Sequence, residues 1–393
     1  MHLSTTEYRR CERGAFGLDA PHELTVTFGH QGADMMIGDA SVSRKLDLKV
    51  GDWVLVRSGE EILVTLDANA RFEELPFMPQ MLQHCGKKFR VRKRAHKLCD
   101  TAFGAGGRQL TDAVFLDDNR CDGKAYGGCE LRCTVVWKEV WLRRADANEP
   151  QCPSAPLDRL ETLVRAGTRR TSPSQTSSDP LYVCQATQLP AATKPLPWWK
   201  PAQYVEDYRS GNVALSDIVA RLAFLLYAEL VATGVGLGSA FRWIYNKIQS
   251  VRGGEPYPVR PGHLPVGGPT PSVNLGLKEG EFVRVKSSNE ILATVDELLV
   301  NRGMGFHPEM MPYCGKTFRI SQRLHRLIDE KTGKLKELKN SCVVLEGADC
   351  KGTCTRPLNC PRACPPYWRE IWLERVNTNS AASQDELLRL PSG

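Results

Sequence analysis

Apolar and polar residues alternate in short runs along two separate stretches of the chain. In the first stretch, residues 53–56 and 62–66 alternate around Ser58-Gly59, a pattern that predicts a β-hairpin. Phe89 and Val91 alternate with Arg90 and Arg92, and residues 114–116 and 136–142 give two further strands. Residues 75–82, rich in Pro and Met, read as a loop with one helical turn. The pattern changes over residues 213–233 and 237–250, which read as two helices parted by Thr233-Gly234-Val235-Gly236. The first of these helices is strongly apolar through residues 222–228. Arg221, Glu229 and Arg242 interrupt the pair before an uncharged run reaches the length of about 18 residues expected of a spanning helix.

The strand pattern occurs twice because the chain contains an internal repeat. Residues 46–100 and 275–329 align without a gap, 229 positions apart, with 24 identities in 55 positions. Glu61-Ile62-Leu63 matches Glu290-Ile291-Leu292, and Cys85-Gly86-Lys87 matches Cys314-Gly315-Lys316. Farther on, Trp137-Lys138-Glu139-Val140-Trp141-Leu142 matches Trp368-Arg369-Glu370-Ile371-Trp372-Leu373, now 231 positions apart. The expected organisation is an N-terminal extension (1–45), a first β domain (46–146), a linker (147–212), a helical hairpin (213–252), a Gly/Pro connector (253–274), a second β domain (275–377) and a flexible tail (378–393). Within the linker, residues 168–180 have the Ser, Thr and Pro content of a flexible segment.

Five short strands around a small core suggest a partly closed barrel. The opening of each copy, Val50-Gly51-Asp52-Trp53-Val54-Leu55-Val56 in the first, resembles the first strand of SH3-like and KOW-type barrels over some twenty residues. The expected fold is mostly β with a helical insert. It consists of tandem duplicated small SH3-like barrels, each with a four-cysteine metal site, joined by an α-helical segment.

The metal expectation comes from the cysteines. Fourteen are present, and residues 1–13 show no apolar core of a signal peptide, so a cytoplasmic chain with reduced thiols is expected. Laid over the repeat, Cys85, Cys121, Cys129 and Cys133 correspond to Cys314, Cys350, Cys360 and Cys364. Four thiolates complete a tetrahedral structural zinc site, giving two zinc ions per chain. An iron–sulfur cluster uses the same donors and is the alternative; disulfides or buried free thiols are a third reading. Cys85-Gly86-Lys87 looks like half of a zinc knuckle, and Cys121-Asp122-Gly123 offers a comparable turn. Cys99 and Cys342 read as core thiols and Cys354 as a substitute ligand, while Cys11, Cys152 and Cys184 have no counterpart in the repeat.

Charge alters the picture only locally. The 52 Lys and Arg against 45 Asp and Glu give a net +7, too little to mark a nucleic-acid binder by itself. Residues 87–97, however, hold seven basic residues plus His96 and no acid. On a straight strand, Arg90, Arg94 and His96 share an outward face, as do Arg319, Arg323 and His325 in the second copy. Such a face suits an anionic group, which guanidinium pairs bidentately, but it equally suits internal pairing with carboxylates such as Asp67 or Asp100. Trp137, Glu139 and Trp141 would share one strand face. They suit a ligand platform or, alternatively, a core in which Glu139 binds backbone amides. No phosphate loop, nucleophile elbow or metalloprotease motif occurs, so enzymatic activity is not the leading expectation. The expected function is a zinc-stabilised binding or scaffold protein for an anionic or peptide partner, nucleic acid included. Peripheral membrane contact through residues 213–250 is a further expectation. The alternative is an iron–sulfur redox or accessory protein of a biosynthetic pathway.

Overall fold

The computed structural model describes residues 45–102, 106–151, 157–170, 180–232, 238–252, 261–352 and 358–376. The expected N-terminal extension, most of the Ser/Thr-rich segment, part of the Gly/Pro connector, the tail, and Cys11, Cys152 and Cys354 lie outside the described residues. The secondary structure is mostly antiparallel β, with few helices.

Two five-stranded antiparallel sheets repeat one topology. The first contains β1 (Trp53–Val56), β2 (Lys88–Arg94), β3 (Ala113–Arg120), β4 (Thr134–Lys138) and β5 (Leu142–Arg144), in the order β4-β3-β2-β1-β5. The second contains β6 (Phe282–Val285), β7 (Thr317–Ile328), β8 (Leu335–Leu345), β9 (Tyr367–Arg369) and β10 (Leu373–Arg375), in the order β9-β8-β7-β6-β10. Registers agree as well: Trp53 faces Arg90 as Phe282 faces Arg319. A 3₁₀ turn, Glu139–Trp141 or Glu370–Trp372, precedes the last strand of each.

Each sheet closes over a buried aromatic triad. Phe77 meets Trp137 and Trp141 edge-on at 6.0 and 5.2 Å, and Phe306 meets Trp368 and Trp372 at 6.4 and 5.5 Å. The Trp141 indole donates to Thr65 Oγ1 and that of Trp372 to Thr294 Oγ1, whereas the buried Trp368 N–H has no partner. His84 stands edge-on to Phe89 and Trp137 in the first core. Burial, helped by Lys87, lowers its pKa from 6.5 to about 4. Since the folded value lies below the unfolded one, this stabilisation is complete above pH 6.5 and is lost as pH falls toward 4. A His84→Gln variant should therefore lose less stability than wild type between those pH values. Equal losses in urea unfolding would refute the assignment.

The expected hairpin at Ser58-Gly59 is a short helix instead. Ser58 accepts from the Glu61 amide while Glu61 accepts from the Ser58 amide, and this capping box starts helix Gly59–Leu63. Ser287 and Glu290 do the same for helix Ser288–Leu292. Reciprocal satisfaction of the first-turn amides outweighs the apparent alternation of Ile62 to Leu66.

Within the expected linker (147–212), residues 157–170 and 180–212 pack onto the first domain. Leu160 and Val164 of helix Asp158–Ala166 enter its core together with Tyr182 and Leu189. Strand Lys194–Leu196 pairs with Gly107–Gln109, which pairs in turn with Lys97–Cys99. Helix Ala202–Arg209 buries Asp207 against Lys97 at 2.6 Å. The two following helices, Leu215–Ala232 and Gly238–Arg252, pack Tyr227 on Tyr245 at 5.6 Å, while Leu226, Trp243 and Ile248 remain exposed. Arg221 reaches Asn359 of the second domain. Among the described residues, no helix is long and apolar enough to cross a membrane.

The two domains meet about an approximate two-fold axis. Thr101 hydrogen-bonds Glu330 and Arg120 pairs with Asp349 at 2.8 Å, each residue touching its own counterpart in the other copy. A position meets its own equivalent only near a two-fold axis. Off the axis the contacts are reciprocal. The Cys99 amide donates to Cys360 Sγ at 3.3 Å, and the amide of Ile328, the counterpart of Cys99, donates to Cys129 Sγ at 3.4 Å.

Candidate functional site

The six basic candidates do not form an open face. A β-bulge between Val91 and Lys93 interrupts the alternation of β2, and a matching irregularity lies between Ile320 and Gln322 of β7. One extra residue turns Arg94 inward while Arg90 stays exposed. Arg94 is 3% exposed and pairs with Glu139 at 2.9 Å and Glu206 at 2.8 Å. Arg323 likewise pairs with Glu370 at 3.0 Å and donates to the Leu277 carbonyl. His96 turns to Asp207 at 3.2 Å, and exposed His325 lies 3.7 Å from Glu130. Arg90 and Arg319 are the exposed arginines of the set, their guanidiniums resting on the carbonyls of Gly51 and Gly280.

Glu139 and the tryptophans belong to the interior. The Glu139 carboxylate accepts from the amides of Leu46, Asp47 and Leu48 as well as from Arg94. Glu370 accepts from Leu275 and Gly276 and pairs with Arg323. This carboxylate pins the segment entering each domain to the turn before its last strand.

The cysteines separate differently from their alignment. Cys85 packs in the first core, where burial pushes its thiol up to about 11, and Cys314 packs beside the second core. Cys121, Cys129 and Cys133 instead line one small cavity of about 30 Å³ together with Cys184, just before helix Gln185–Ala192. In the second domain Cys350 donates its amide to the Cys364 carbonyl at 2.9 Å, as Cys121 does to Cys133 at 2.8 Å. Cys360 meets Cys99 of the first domain, sulfur to sulfur, at 3.4 Å. The two thiols share one hydrogen bond, which lowers the Cys360 pKa and raises that of Cys99. Arg362, 5% exposed, donates to Thr101 at 2.7 Å and pairs with Glu330 at 3.4 Å. Among the described residues, no group of three or more Cys, His, Asp and Glu side chains already stands as a metal-holding set.

No protein-family model and no curated protein matches this chain. Its chemistry has to be read from the site alone. Besides the thiols, the domain junction holds an open cleft of about 360 Å³, lined by Arg120, Arg132, Arg319, Ser321, Glu346 and Asp349. Arg319, a candidate basic residue, lines this cleft. Cys99 and Cys184, set aside in the sequence reading, and Asp207, absent from it, stand at the Cys360 contact, the cavity wall and the buried Lys97 pair. Cys184 had one legible signal: it is a cysteine outside the repeat, followed by a run with helical character.

Proposed function

We propose that the chain is a non-catalytic binding or scaffold protein, cytoplasmic and stabilised by structural zinc, that recognises an acidic peptide segment. The observation that carries this reading is the junction cleft, where Arg120, Arg132 and Arg319 from both copies face one space. Guanidinium forks suit carboxylates, and the accompanying Glu346 and Asp349 give such a site selectivity against indiscriminate polyanions. The SH3-like assignment of each domain is supported by the strand order and by the 3₁₀ turn before the last strand. The zinc assignment is supported by the gathering of thiols at the cavity and at Cys99–Cys360.

The test is fluorescence anisotropy of the full chain with a labelled poly-glutamate peptide, and separately with a labelled single-stranded oligonucleotide. Peptide binding should weaken with salt and fall several-fold in Arg319→Glu and Arg132→Glu variants that unfold like wild type. Unchanged affinity in both variants, or binding of the oligonucleotide alone, would overturn the peptide reading.

A further inference from the structure

The structure points to two four-thiol zinc sites whose fourth ligands come from outside the repeat pattern: Cys184 completes Cys121, Cys129 and Cys133, and Cys99 of the first domain completes Cys350, Cys360 and Cys364. The inference rests on the zinc reading above and replaces the ligand set that the repeat alone suggests.

The first support is position. The four sulfur-bearing residues of the first set line one cavity of about 30 Å³, room for a single ion or water, and Cys85 is not among its walls. In the second set Cys99 and Cys360 already stand 3.4 Å apart, while Cys350 and Cys364 are joined through the backbone. Rotation of a cysteine between staggered positions carries its sulfur roughly 3 Å, so closing either set on an ion is within side-chain motion.

The second support is the backbone around the sulfurs. Cys360 accepts an amide across the junction from Cys99 at 3.3 Å, and Cys129 accepts one from Ile328 at 3.4 Å. Gly123 and Gly352, two residues after Cys121 and Cys350, stand at positive φ, +67° and +64°. A Cβ on Gly123 would stand 1.7 Å from the Cys129 carbonyl oxygen, and one on Gly352 would stand 2.6 Å from the Cys360 amide nitrogen. Glycine there lets the first ligand loop close on the second.

The third support is the two-fold relation. The position that supplies Cys99 to the second set is occupied, in the reverse direction, by Ile328, and Ile328 indeed lines the first cavity. Isoleucine ligates nothing, and Cys184 stands in the same cavity wall. The pseudo-symmetry therefore predicts a vacancy in one site, and the segment between the copies fills it. Arg362 lines the first cavity, held there by Thr101 at 2.7 Å and Glu330 at 3.4 Å.

Zinc binding releases the thiol protons as four Zn–S bonds form at each site, with no redox change. The experiment is metal analysis of the full chain, purified under reducing conditions and equilibrated with zinc. Wild type should hold two zinc ions, Cys184→Ser and Cys99→Ser one each, the double variant none, and Cys85→Ser and Cys314→Ser two. Alkylation mapping of the wild type by mass spectrometry needs no variant to fold. Chelation should expose Cys99, Cys121, Cys129, Cys133, Cys184, Cys350, Cys360 and Cys364 and leave the reactivity of Cys85, Cys314 and Cys342 unchanged. Zinc lost with Cys85 or Cys314 rather than with Cys184 or Cys99 overturns this ligand set and leaves the zinc reading standing. A metal-free chain, a Cys99–Cys360 disulfide or an iron–sulfur cluster overturns both.

Discussion

Replacing Asp207 by alanine is expected to destabilise the protein by about 3–5 kcal/mol, the usual cost of stranding one member of a buried ion pair. Lys97 and Asp207 are both fully buried and meet at 2.6 Å. The same carboxylate takes His96 at 3.2 Å and the Asn359 amide at 3.2 Å, so it holds helix Ala202–Arg209, strand Lys97–Cys99 and the second domain together. Burial lowers the Lys97 pKa and Asp207 opposes that shift, so without Asp207 the ammonium must deprotonate or remain buried unpaired. The Tyr204 ring, 4.9 Å from Lys97 Nζ, offers only partial compensation. The double variant Asp207→Ala/Lys97→Met should recover much of the loss, because it removes the stranded charge. Urea unfolding checks both, and a single variant within about 1 kcal/mol of wild type would contradict the role given to this pair.

Glu139→Ala should cost a similar amount, about 3–5 kcal/mol, and more than Glu370→Ala. The two carboxylates hold equivalent places, but their surroundings differ. The Arg94 side chain is 4% exposed and would lose its closest buried partner, whereas that of Arg323 is 23% exposed and can turn to water. Three amides, of Leu46, Asp47 and Leu48, depend on Glu139, against two on Glu370. Glu139→Gln, which keeps an acceptor for the amides but not the charge, should fall between wild type and Glu139→Ala. Equal losses for the two alanine variants would show that burial of the arginine does not set the cost.

What the sequence made legible was local or repeated. The duplication, the strands at Trp53, Phe89, Val114 and Val136, and the cysteine-rich character all follow from spacing that a single strand or the repeat preserves. Two local signals were misread. Ser58-x-x-Glu61 carries a helix start, yet the alternation beyond it resembles a strand. The bulge at Val91 leaves no mark in composition, and it alone decides that Arg94 points inward. The candidate site was less legible because its contacts run between copies. Cys99 aligns with Ile328, so the repeat marks it as a core thiol, while the two-fold packing carries it to Cys360 in the other domain. Cys184 falls outside the repeat altogether, in a segment whose polar neighbourhood conceals the residues that dock it, Tyr182 and Leu189. Spacing within one copy cannot report a ligand supplied by another part of the chain.

The central proposal is that two sets of four thiols, each completed from outside the repeat pattern, hold zinc, the set that includes Cys99 bridging the two domains. X-ray absorption at the zinc edge on the full chain, loaded with two equivalents of zinc, tests it most directly. The account predicts four sulfur neighbours at about 2.3 Å and no lighter ligand. Nitrogen or oxygen neighbours at about 2.0–2.2 Å, or a spectrum of unbound aqueous zinc, would contradict it.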